Sequence, residues 1–169
     1  VRFREPETTH ARADEGIREW SHGAEIQPTR FIQRDFNFEK PRADMQADAG
    51  PARPLKHQHQ AAFDIFDYPG EYEERGEGQR IAAVRIEEMR HQFDHFNGEG
   101  NAAGLATGGL FKLLEHPRDD QNQEYLIVEA DYRVEESPLE SELATTELIG
   151  LRFRAIPSAQ IFHPPRLTP

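Results

Sequence analysis

Residues 30–38, RFIQRDFNF, place Ile32, Arg34, Phe36 and Phe38 on one side of an extended strand. Phe31, Gln33, Asp35 and Asn37 fall on the other side, and Pro41 ends the run because proline cannot donate to a sheet ladder. Upstream, residues 17–20 and 24–26 carry spaced apolar positions around Ser21-His22-Gly23, which predicts a strand bent at the glycine and broken by Pro28. Residues 2–16 show little periodicity and read as loop or frayed edge strand. Residues 42–60 are rich in Ala, Pro, Gln and charge, so an exposed loop or connector is expected there. Residues 62–68, AFDIFDY, alternate apolar and acidic and stop at Pro69-Gly70, a strong turn signal.

Gly76 and Gly78 then hold the acidic segment out of a helix until about Gln79. Beyond it Ala82, Ile86, Met89, Phe93 and Phe96 recur at helical spacing, with Arg85, Glu87, Glu88 and Arg90 on the other sides. Periodicity alone does not decide whether residues 92–98 continue the helix or start a strand. After a turn at 105–109 come a buried strand at 110–116 and a polar loop at 117–122. The strongest strand signal follows at 123–135, with Leu126, Val128, Ala130 and Tyr132 on one face. A turn at 137–142 and a last strand at 145–156 precede a proline-rich exit with Pro157, Pro164, Pro165 and Pro169.

Composition narrows the functional classes. The net charge of -11 argues against tracking a phosphate backbone or an anionic membrane surface. With no cysteine there is no disulfide framework and no thiolate chemistry. Hydrophobic residues at 36% allow one domain with a thin core, a chain that leans on neighbours to bury its remaining apolar surface. No apolar run has the length of a membrane span, and no signal segment opens the chain. The polar start at Val1 and the abrupt HPPRLTP end look cut from something longer.

Catalytic chemistry finds little support. Acidic residues number 31, yet no motif fixes a carboxylate pair of the kind a glycosidase needs, and a single Trp offers few sugar platforms. No serine stands in a nucleophile-elbow context, and neither Gly76-Glu-Gly78 nor Gly98-Glu-Gly100 is a phosphate loop. Two histidine pairs have metal-like spacing. His57 and His59 would point the same way on an extended segment, and His91 and His95, flanked by Glu88 and Asp94, would share a face if the helix ran on. Both pairs lack a third ligand at fixed spacing, and solvated or edge histidines are the favoured reading. No catalytic, cofactor-binding or metal residue is therefore assigned, and no cofactor is expected.

Five blocks, taken in order, change the picture: IQRDFNFEKPRA, IFDYPGEY, GEGQRIAAVRIEEMR, NGEGNAAGLATGGLFKLLEHPRDDQNQEYLIVEADYRV and IPSAQIFHPPRLTP. Together they resemble VgrG, the spike-tip family of bacterial type VI secretion systems, from about Thr29 onward. The departures are modest: the family usually has Pro at Thr107 and Arg at His163, and often a His near Tyr132. The resemblance implies an α+β fold, mainly antiparallel β, in which a twisted sheet curls into the barrel-like tube domain of contractile-phage baseplate hubs with one helix packed on it. It also implies that residues 92–98 are a strand, which would part His91 from His95.

The implied organisation is leading strands and loop over 1–60, a second tube-like domain over 61–157, and a linker over 158–169 toward an OB-fold needle domain. The implied role is assembly without catalysis: a homotrimer seated on the hexameric Hcp tube ring, carrying effectors and a spike-tip protein, with no nucleic acid and no membrane anchor. Such a hub would be assembled in the bacterial cytoplasm and delivered to a target cell. On this reading Arg34, Asp35, Phe36 and Phe38 enter the sheet, Tyr68, Pro69 and Gly70 set the turn, and Arg80, Arg85 and Glu88 form helix-surface pairs. The alternatives are a cell-wall polysaccharide hydrolase module associated with a spike and a small metal- or ligand-binding module.

Overall fold

The computed structural model describes residues 1–4, 15–50, 63–135 and 148–165. Eight strands and one α-helix follow in the order β1 (Ile17–Ala24), β2 (Arg30–Arg34), β3 (Gln46–Ala49), β4 (Asp64–Asp67), α1 (Arg75–Arg90), β5 (Asp94–Gly100), β6 (Leu110–Lys112), β7 (Glu124–Glu135) and β8 (Leu148–Pro157). Two compact units interleave in the chain. One comprises Val1–Gly23 with Asp94–Gln160, the other Ala24–Phe93 with Ile161–Pro169. These cuts fall at 23/24, 93/94 and 160/161.

The first unit is a five-stranded sheet in the order β1-β5-β8-β7-β6. β5 with β8, β8 with β7 and β7 with β6 all pair antiparallel. In a flat sheet the outer strands β1 and β6 would lie four strand spacings apart, about 19 Å. Instead, Trp20 of β1 and Phe111 of β6 have ring centroids 6.1 Å apart, so the sheet curls until its edges approach. The N-terminal residues span what remains: Arg2 bridges Leu114, and Phe3 bridges Ile17. Phe3 N donates to Leu114 O at 2.8 Å and Arg4 N to Ile17 O at 2.7 Å. Residues 2–4 of the segment expected as loop or frayed strand thus lie between the two sheet edges, a placement set by pairing partners remote in sequence.

Inside the curl lie Phe96, Phe111, Tyr125, Leu151 and Phe153, with Trp20 packed against them. Trp20 stacks on Phe96 at 5.4 Å and meets Tyr125 edge-on at 4.9 Å, geometries that aromatic quadrupoles favour. The core face of β7 differs from the expected one. Tyr125 and Ile127 are buried, the register slips between Ile127 and Glu129, and only after that bulge does Ala130 reach the core. One extra residue exchanges the faces of a strand, so Leu126, before the bulge, lies on the face opposite to Ala130 and Tyr132, after it. β6 is also shorter than expected, three residues with Leu114 in an isolated bridge beyond it.

In the second unit β3, β2 and β4 form a sheet of that order, antiparallel between β2 and β3 and parallel between β2 and β4. α1 covers β3 and β2. Here three expectations fail. β2 stops at Arg34, so Asp35, Phe36 and Phe38 lie outside the sheet, and the buried face is that of Phe31 and Gln33. β3 stands inside the stretch read as exposed loop. α1 begins at Arg75, four residues before Gln79, and takes Gly76 and Gly78 into its first turns. A Cβ on Gly78 would meet the Tyr72 ring at 2.5 Å; close packing there outweighs the roughly 1 kcal/mol of poor helix propensity. The helix end at Arg90, the packing of Ala82, Ile86 and Met89, and the strand after it are as expected.

Candidate functional site

The stretch from β4 to β5 is the joint of the second unit. β4 gives way at the cis Tyr68–Pro69 bond to a chain segment with Glu71 at φ 56°. Tyr72 then drops into the core beside Met45, Ala47 and Ile81. Its hydroxyl reaches the carbonyls of Met45 and Gln33, while its N–H donates to Asp35 Oδ2 at 3.1 Å. Gln33 is buried and donates from Nε2 to Gly78 O at 2.5 Å, tying β2 to the first turns of α1. Gln79 likewise donates to the Asp48 carbonyl of β3. Burial first, and the Asp35 carboxylate second, push the Tyr72 phenol above its ordinary pKa. On the helix surface Arg85 and Glu88 pair at 2.7 Å, as expected of them.

In the first unit residues of β1, β5, β7 and β8 line a concave region of about 570 Å³. Its wall is charge-paired: Arg152 donates from Nε to Glu99 at 2.8 Å, and Arg154 lies 3.9 Å from Glu129. Carboxylates set opposite guanidinium groups make a solvated ion-pair surface.

The structure separates the histidines that spacing brought together. α1 ends at Arg90 and His91 is its C-cap, with Nδ1 donating to Glu88 O. His95 stands in β5, and its ring covers Gly23. The shared helical face that the zinc idea needed does not exist, and among the described residues no group of three His, Asp or Glu side chains is placed to hold a metal ion. His57 and His59 lie outside the described residues. His22 and Asp94, which spacing did not single out, are paired across the first unit, with the His22 ring stacked on Phe96 at 4.7 Å.

Residues 1–138 match the family described as phage tail baseplate hub (GPD). The chain belongs to the phage tail baseplate hub family. Among its curated hub relatives, the type VI secretion system spike protein VgrG1a of Pseudomonas aeruginosa is 38% identical over 130 residues, covering 76% of this chain and 20% of that protein. Spike protein VgrG1c of the same organism is 34% identical over 157 residues, covering 85% and 21%. The VgrG resemblance seen in the five blocks is borne out. The chain spans about a fifth of the length of these relatives. The crystal structure of a tail protein from Neisseria meningitidis MC58 superposes with a TM-score of 0.54, 8% identity, and coverage of 92% of this chain and 43% of that one. That likeness concerns the fold, and it agrees with the expected α+β, mainly antiparallel hub architecture.

The residues that organise the packing within each unit are not singled out by their spacing in the sequence. Tyr72, Gln33 and Trp20 passed unremarked as organisers. The signals available were a tyrosine two residues past a Pro-Gly turn and a Gln on the same strand face as Phe31. Neither signal says that the side chain is buried.

Proposed function

We propose that this chain is the hub portion of a type VI secretion spike and acts by assembly, not catalysis. Three copies would form the hub, seat it on the hexameric Hcp tube, and carry the spike tip and effectors from the cytoplasm into a target cell. The observation that supports this most is the hub-family match over residues 1–138 together with 34–38% identity to spike proteins. A curled sheet closed at its edges is also a shape suited to a tube wall, and residues 94–160 supply most of the tube-like portion on this reading. Among the described residues no helix is long and apolar enough to cross a membrane. The test is light scattering on the native spike protein that carries this chain, followed by co-sedimentation with the tube protein. A mass of three copies and co-sedimentation are expected; a monomer, or release of peptidoglycan fragments abolished by one Asp or Glu substitution in this region, overturns the reading.

A further inference from the structure

Within the second unit, the loop after β2 and the segment after the Pro-Gly turn face each other across a groove of about 310 Å³. Phe36 and Phe38 line it at 58% and 82% exposure. Their loop is pinned by side chains: Asp35 Oδ1 accepts from Phe36 N at 2.6 Å, and Asn37 Oδ1 accepts from Glu39 N at 2.9 Å and Lys40 N at 3.0 Å. Asn37 Nδ2 then donates across the groove to Glu73 O at 2.9 Å. Two phenyl rings held in water by a fixed backbone are aromatic anchors whose ordering cost is already met before contact.

The rim selects the occupant. Glu39, Glu71 and Glu73 line it, and no basic side chain does. No three of these carboxylates come close enough to hold a metal ion, so the negative charge is spread along the groove. Phosphate backbones and anionic headgroups are repelled by that sign. Guanidinium or ammonium groups at intervals along a chain fit it, since they meet carboxylates and exposed ring faces along the same groove. We propose that this groove is a docking site for a basic, arginine- or lysine-bearing segment of a partner protein.

The test titrates a labelled synthetic peptide with Arg at alternate positions, and the same peptide with Glu in those positions, into the 169-residue chain. Fluorescence anisotropy is read at low and high salt. Saturable binding of the Arg peptide is expected, roughly tenfold or more tighter than the Glu peptide and weakened by salt. Phe36→Ser with Phe38→Ser should weaken it by roughly tenfold or more while leaving the melting temperature in place, because both rings are exposed. Glu39→Gln with Glu73→Gln should flatten the salt dependence. Equal binding of both peptides, or unchanged binding by the phenylalanine variant, overturns the proposal. So does a variant that changes the mass of the chain in light scattering while the parent ignores the peptide, since a second copy would then be the occupant.

Discussion

Removing the Phe111 ring tests whether the five-stranded sheet is curled. Phe111 is 6% exposed and sits between Tyr125 at 5.7 Å and Phe153 at 5.5 Å, with Trp20 at 6.1 Å from the opposite edge of the sheet. Phe111→Ala therefore leaves a cavity where the Trp20 and Phe111 rings of the two edges meet, for a cost of about 3–5 kcal/mol. With a urea slope of about 2 kcal/mol/M, the unfolding midpoint falls by roughly 2 M. The chain has a single tryptophan, Trp20, so its fluorescence reports both the transition and the local change. In the folded variant Trp20 loses one wall of its pocket, and its emission maximum moves to longer wavelength. If the midpoint shifts as expected while Trp20 emission stays unchanged, the ring is core but the edges do not meet, and the curled-sheet account is wrong.

Two further outcomes follow from the same geometry. A Cβ on Gly100 would stand 2.1 Å from the Gly16 carbonyl oxygen and 2.9 Å from Ile17 Cα, backbone that cannot rotate aside; Gly100→Ala should cost about 2–4 kcal/mol by overpacking and loss of the Asn101 N to Gly16 O bond, read by chemical denaturation. The phenols of Tyr72 and Tyr125 are both raised chiefly by burial. The unfolded chain then gives up its tyrosine protons first, so stability is intact below about pH 10 and falls as pH rises from there toward the raised folded values. A pH series of melting curves checks the sign; rising stability above that point would refute it.

What was legible in the sequence depended on how local the cause was. The strand signals at β7 and β8 and the Pro-Gly turn announce themselves through residues that act on their own backbone, whereas the end of α1 and the start of β5 are implied by the family resemblance and not by periodicity. β3, Gln46-Ala-Asp-Ala49, has no β-branched or aromatic residue; it is a strand because β2 offers it a ladder and α1 covers it. Gly76 and Gly78 carry a true local disfavour, which at Gly78 the close approach of the Tyr72 ring overrides. The aromatic run Phe36–Phe38 has the right alternation for a strand, yet Asp35 and Asn37 divert the backbone by accepting its N–H groups. A bulge in β7 is invisible to a period-two count, which is why its faces came out exchanged. The histidine pair was a matter of counting residues along an element that ends at Arg90.

The interleaving of the two units has a bearing on the order of events during synthesis. β1 and β5 are neighbours in one sheet, yet residues 24–93 lie between them in the chain, so β1 leaves the ribosome well before its partner exists. Closing a flexible loop of that length carries about 4 kcal/mol of entropy from its logarithmic term. The excursion has its own clasp: Glu25 N donates to Phe93 O at 3.0 Å, holding its two ends together. Once residues 24–93 have folded, that clasp presents the two ends side by side, and β1 meets β5 across a short gap instead of a long wandering chain. A change in the length of this excursion should then spare the β1–β5 pairing, provided the clasp is kept.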